Sequence, residues 1–406
     1  MSSLKSVNNP GILLCTDNYL RIGAEQIGGI ERISVILINL LRKTGCRFFN
    51  AFKKTDDGSG PDDLDDHNFS PCERIWVLNE TSIDDVTKFV LVNNITVIHL
   101  QQAESRDFLF YHLVAIRTGC RLIYSMLEKP LGDLYRYRLS YNLDALIRVP
   151  WKNKWQILIR LLTSGTRSQI RHGQLQKKAV QSFKYCDKII LQSELYIPAL
   201  EKLLQRQVSD RKLTVLPNCV SYPDFFAEEN IPHLKQREAL VIGNLNEESS
   251  KLSVIINIWK QLHKTFGNWT LRILGDGQDF GFYKKIINKN DGIILEGRQE
   301  PILYYQSASI FVTACTSAKS FCSPLLDAMQ NALVPVILDT SEIYSDIIEN
   351  EVSGFIVSDM IQMERTLEKL MSDRILCQKI ARKALSRAKL HGQLIYARKY
   401  YDLYHS

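Results

Sequence analysis

Short aliphatic and β-branched runs alternate along this chain with stretches whose apolar residues recur every three to four positions, and the whole series occurs twice. The first series predicts strands at Gly11–Thr16, Arg74–Leu78, Thr96–Leu100, Arg121–Ser125, Lys188–Gln192 and Leu213–Leu216. It restarts at Ala239–Gly243 and continues through Thr270–Leu274, Gly292–Leu295, Ile310–Thr313, Val334–Leu338 and Gly354–Val357. Ile33, Ile36, Leu37, Leu40 and Leu41 have helical spacing after the first strand, and Leu252–Phe266 repeats the pattern in the second series. Strands separated by helices must run parallel and bury both faces, so the fold class is α/β with parallel sheets.

At 406 residues the chain is long enough for two or three cores. The segment Pro217–Arg237, with three prolines and few apolar residues, reads as a linker. The expected organisation is therefore a Rossmann-like domain over 1–216, a linker over 217–237, a second Rossmann-like domain over 238–380, and a C-terminal helix over 381–406 packing back on the first domain. Ligands of such sheets sit at the carboxyl ends of the strands, which here would face each other across a cleft.

Composition excludes several classes. With 45% hydrophobic and 23% charged residues the chain is neither disordered nor fibrous. The longest apolar runs, such as Ile33–Leu41, fall short of the ~18 residues of a spanning helix, and MSSLKSVNNPGILLC does not read as a signal peptide. Nine cysteines without a CxxC pair suggest reduced thiols and no metal site, hence a cytoplasmic protein. Between Leu134 and Leu191, twelve Lys or Arg stand against Asp144 and Asp187, so this segment carries +10 while the chain carries +7. In it Trp151, Trp155, Leu158, Ile159 and Leu162 share one helical face, with Lys152, Gln156 and Arg160 on the other. Two readings stand: a helix in an anionic membrane interface, peripheral on the inner face of the plasma membrane, or a core-facing helix with a solvated face. No nucleic-acid recognition module accompanies the charge. The six aspartates of Asp56–Asp66 include Asp63-Leu64-Asp65, a metal-binding pattern in other folds, but their Gly/Pro setting reads as a solvated loop.

The passage from Ala239 to Val357 is the most informative. Gly275 and Gly277 follow a strand, where glycine lets main-chain amides approach a phosphate, although GDG alone is as well explained by a turn. Together, VIGNLNEESSK, WTLRILGDGQD, GIILEGRQEPILYY and KSFCSPLLDAM resemble the nucleotide-sugar domain of glycosyltransferase family 4, retaining enzymes of two-domain GT-B fold. The resemblance extends upstream through GGIERISVILINLL, DKIILQSELYIPAL and KLTVLPNCV.

It implies a hexosyltransferase that moves a sugar from a nucleoside-diphosphate donor to a glycan or lipid-linked acceptor in cell-surface polysaccharide synthesis, with no cofactor. It implies Lys251, Gly275 and Gly277 near the phosphates, Gly28 and Gly29 facing the donor phosphates or the acceptor, Arg298 at the base, Asp327 at the ribose, and Pro324 and Leu325 in the same donor site. Where the family carries two glutamates eight residues apart, this chain has Lys319 and Asp327; Lys319 donates only, and reads either as a partner for phosphate or an acidic sugar or as a solvated loop lysine. Asn244 stands where the family has an arginine, with Lys251 displaced by two residues; Lys251 serves the diphosphate or simply starts a helix. Leu127 stands where the family often has a histidine near the sugar; Glu128 beside it is a catalytic candidate that would supply a carboxylate there, and His99 ends a strand as either a catalytic residue or a structural one. Leu127, Asn244 and Lys319 together raise the alternative of an impaired relative acting as partner or scaffold of an active transferase.

Overall fold

A computed structural model describes residues 9–17, 20, 29–52, 72, 74–77, 82–101, 103–127, 129–130, 164–208, 211–315, 323–339 and 343–406. The chain forms two units, Met1–Cys219 with Gln393–Ser406, and Val220–Gly392.

In the first unit seven strands form one sheet: β1 (Gly11–Thr16), β2 (Arg47–Phe52), β3 (Arg74–Val77), β4 (Ile95–Leu100), β5 (Arg121–Met126), β6 (Lys188–Leu191) and β7 (Leu213–Val215). Their order is β3-β2-β1-β4-β5-β6-β7, and every pairing is parallel. All six residues of β1 are buried, as a strand covered on both faces requires. Leu13, Ile98 and Leu122 pack on one face beneath Phe108 and Val114 of the helix Ser105–Thr118. Ile12, Leu14, Val97 and Ile123 pack on the other, under Ile33, Leu37 and Leu41 of the helix Gly29–Arg42.

The second unit repeats the scheme with β8 (Glu238–Ile242), β9 (Thr270–Leu274), β10 (Ile293–Gly297), β11 (Ile310–Cys315), β12 (Val334–Asp339) and β13 (Phe355–Val357), in the order β10-β9-β8-β11-β12-β13. Its helices Leu252–Thr265 and Met360–Ser372 bury Ile255, Trp259, Met363 and Leu367 on one face of the sheet. The helix Ser323–Gln330 buries Leu325, Leu326 and Met329 on the other. Both sheets are thus doubly wound, with the strand order reversing beside β1 and beside β8.

Three sequence expectations change. Strand β2, RFFNAF, was not expected; it has no Val or Ile and carries a central polar residue, Asn50. That asparagine is fully buried because its amide donates to Leu14 O and Thr16 Oγ1, at 3.1 and 2.9 Å, while its Oδ1 accepts from Leu20 N. The proposed linker is divided at Cys219/Val220, and Ile231 within it belongs to the core of the second unit. The return to the first unit comes at Gln393, not at 381, because the helix Arg374–Ala388 buries Cys377, Ile380 and Ala381 in the second unit. Among the described residues, Cys15, Cys46, Cys72, Cys120, Cys186, Cys219 and Cys377 are all buried.

Candidate functional site

The carboxyl ends of β8, β9 and β10 are held side by side by main-chain bonds. Gly243 N donates to Leu274 O, Leu245 N to Asp276 O and Gly275 N to Gly297 O, at 3.2, 2.9 and 2.7 Å. Gly275 has φ +136°, and a Cβ there would lie 1.9 Å from Gly243 O. A Cβ on Gly277 would lie 2.6 Å from Asn244 Oδ1 and 2.7 Å from Leu245 O. Both glycines are therefore demanded by the close approach of the β8 and β9 loops. Asn244, the residue in place of an expected arginine, is the side chain that closes over Gly277.

Lys251 heads the helix Leu252–Thr265 in a left-handed conformation, φ +48°. It is set there by Glu247, a buried carboxylate that accepts from Ser253 N at 2.9 Å, Ser253 Oγ at 2.5 Å and Tyr283 Oη at 2.9 Å. Glu247 stands four residues before the N-cap Lys251, outside the positions at which an acidic side chain signals a cap, so no local sequence pattern singles it out. Arg298 is exposed immediately after β10. On the same sheet Arg272 on β9 bridges Glu238 on β8, at 3.1 Å, and Glu296 on β10, which ties the three strands together.

The helix Ser323–Gln330 supplies the next group. Asp327 is 3% exposed, and its Oδ1 accepts from Ser221 N at 2.7 Å. It thus fixes the chain as it enters the second unit, a role the sequence reading did not include. The Leu325 side chain is fully buried in the core, so its part at a ligand is confined to its main-chain amide, one of the first-turn N–H groups left open by helix geometry. Pro324 O accepts from Tyr305 Oη at 3.3 Å.

In the first unit, Gly29 opens the helix Gly29–Arg42. Leu127 follows β5 and is half-buried. His99 corrects an expectation: it is fully buried, with Nδ1 2.8 Å from Tyr404 Oη and Nε2 2.8 Å from Ser125 Oγ. Burial drives its pKa down to about 3, so the ring is a neutral core residue and not a catalytic one. Gly28, Glu128 and Lys319, with the aspartate loop and the tryptophan-rich segment, lie outside the described residues. Among the described residues no group of His, Cys, Asp or Glu is arranged to hold a metal ion, and no helix is long and apolar enough to cross a membrane.

Two doubly wound parallel sheets, with tightly joined strand-end loops in the second, define the GT-B architecture implied by the sequence. Residues 224–387 match the family model of Glycosyl transferases group 1. A curated Haemophilus influenzae protein described as an uncharacterized glycosyltransferase is 23% identical over 197 residues, 46% of this chain and 52% of the relative, so the match spans about half of its length. Among solved structures, Anabaena HepE in complex with UDP superposes with a TM-score of 0.69 and 12% identity, covering 97% of this chain and 99% of that one. Sucrose-phosphate synthase from Thermosynechococcus elongatus gives a TM-score of 0.69 at 13% identity over 98% of each chain.

Proposed function

We propose that this protein is a glycosyltransferase that takes a sugar from a nucleoside diphosphate and passes it, with retention, to a glycan or lipid-linked acceptor in cell-surface polysaccharide synthesis. The observation carrying this reading is the interlocked set of loops after β8, β9 and β10, within the segment that matches the group 1 model. Such a set presents main-chain amides and a helix start at the switch point of the sheet, where a diphosphate is favoured. In the proposed mechanism the departing diphosphate accumulates charge, and Lys251 and the first-turn amides of Ser323–Gln330 stabilise it more strongly than the ground state. Arg298 contacts the base. Asp327 receives the ribose hydroxyls. No cofactor takes part. The basic stretch 134–191 holds the enzyme against an anionic membrane surface, on the cytoplasmic side.

Uridine is the favoured base, since HepE binds UDP. At ~100 times its dissociation constant UDP adds about 2.7 kcal/mol to the stability of the unit that binds it, a clear rise in Tm. The expected outcome is that UDP raises Tm and that Gly275→Ala abolishes the rise, because the added Cβ drives the β8 and β9 loops apart. No rise with UDP, GDP, ADP or CMP from folded protein overturns the proposal.

A further inference from the structure

The second unit contains a cavity of about 80 Å³ at the end of its sheet opposite the donor loops. Its lining comes from residues that precede strands: Arg237 before β8, Trp269 before β9 and Ser309 before β11. Met371, at the end of the helix Met360–Ser372, and Arg374, at the start of the helix Arg374–Ala388, close it. The five residues of β8 hold it roughly 16 Å from the donor loops, so the donor reading does not use it. Main-chain bonds fix this edge: Thr270 N donates to Arg237 O at 3.1 Å, Gln236 N to Ser307 O at 2.8 Å and Ser309 N to Glu238 O at 2.9 Å.

The cavity is cationic at its rim and apolar inside. Arg237 has no side-chain hydrogen bond or ion pair among the described residues. Arg374 donates one guanidinium nitrogen to Pro232 O at 2.9 Å and Lys235 O at 3.3 Å, which steadies it and leaves its other N–H groups open. Lys235 also lines the cavity, but its Nζ is engaged elsewhere: it donates to Tyr305 O at 2.7 Å and lies 4.6 Å from the centre of the Phe226 ring. No Asp or Glu is among the described lining residues. The acids nearest in sequence are already committed, Glu238 to Arg272 at 3.1 Å and Asp373 to Leu376 N at 2.9 Å as a helix cap. Inside, Trp269 and Met371 are 5% and 7% exposed. The volume matches about two or three waters, so the ligand is small. A phosphate would lose hydration against these apolar walls without enough donors to replace it, whereas a planar carboxylate matches the guanidinium fork.

We infer that this cavity binds a short aliphatic carboxylate of about four carbons, its charge between Arg237 and Arg374 and its alkyl end against Trp269 and Met371. Bound there, the acid joins the chain before β8 to the helix Arg374–Ala388 and offsets the unpaired charge of Arg237. The second unit thus carries a site for a small acid, separate from the sugar donor. Because both guanidinium groups are exposed at the rim, binding weakens as salt rises.

The test is an NMR titration of the full chain, with isotope-labelled methionine methyl groups, against sodium butyrate at constant ionic strength. Met371→Leu identifies the Met371 signal by its loss. The expected result is that butyrate moves this signal saturably, that the uncharged isostere butyramide leaves it in place, and that inorganic phosphate binds more weakly than butyrate. Arg237→Gln keeps the bonds of Arg374 and weakens butyrate about three-fold or more. The other methionine signals stay where they are in that variant, which shows that the fold is intact. A Met371 signal that butyrate does not move overturns the inference. So does an equal response to butyramide, tighter binding of phosphate, or unchanged butyrate affinity in Arg237→Gln.

Discussion

His99 shows how burial decides what a titratable residue does. Its ring is enclosed by Tyr400 and Tyr404, with centroids 6.1 and 5.9 Å away, and both nitrogens are bonded to hydroxyls. The neutral form is therefore strongly favoured in the folded protein, whose His99 pKa falls to about 3, against ~6.5 in the unfolded chain. Below pH 6.5 the unfolded chain binds a proton that the folded one refuses, so stability is full above that pH and declines as pH falls toward 3. The slope approaches ~1.4 kcal/mol per pH unit from this residue alone. Denaturant titrations between pH 6.5 and 4.5 should show that His99→Asn has a shallower pH dependence than the wild type by most of this amount. Equal slopes would mean that His99 is not held neutral. From sequence, a histidine ending a strand pointed as readily to a site as to a core, because its partner Tyr404 stands 305 residues away.

At the scale of elements, the donor-side loops depend on strands that cannot shift relative to one another. Arg272 links Glu238, Arg272's own strand and Glu296 across β8, β9 and β10, and its guanidinium lies 5.6 Å from the centre of the Tyr304 ring. Burial pushes the Glu238 carboxyl up in pKa while Arg272 draws it back. Removing the arginine leaves a nearly buried carboxylate unpaired, so Arg272→Met should cost about 2–3 kcal/mol at pH 7 in denaturant unfolding, the partial exposure of the pair lowering the figure. Glu238→Gln added to that variant should recover part of the loss, because the desolvated charge is then gone; no recovery would place the cost elsewhere, in packing on Tyr304. The strands themselves were legible in the sequence as apolar runs, and twelve of the thirteen lie where the pattern predicted. Strand β2 escaped because Asn50 breaks its apolar character, and its burial is explained by acceptors on β1 and a donor at Leu20 that only the fold brings to it.

For the whole molecule, the decisive feature is a chain that leaves the first unit at Cys219 and returns to it at Gln393. The terminal helix Gln393–His405 buries Tyr396, Ala397, Tyr400, Leu403 and Tyr404 against the sheet face and the helix Gly29–Arg42. Its carboxyl end is held by Arg121, which donates to Leu403 O at 3.1 Å and Tyr404 O at 2.5 Å. Each large side chain so buried contributes roughly 1.5–3 kcal/mol, and the sum rivals the ~5–15 kcal/mol stability of a domain. A chain ending at Gly392 should therefore lose the first unit to limited proteolysis while the second, Val220–Gly392, resists. Equal resistance of both units would show that the terminal helix is dispensable.

The sequence by itself determined the element series and its parallel character, since periodicity and strand–helix alternation are local properties written within a few residues; the GT-B class came from its resemblance to a known family. It also determined where the strand-end glycines fall. Only the tertiary structure decided what those glycines meet, that Asp327 holds the amide of Ser221, that Glu247 rather than Lys251 anchors the helix start, and that Arg237 and Arg374 line one cavity. The physical reason is common to all four: whether a polar or charged group is a partner, a cap or a free site depends on desolvation and on atoms far away in sequence, and these are fixed only when the chain has folded.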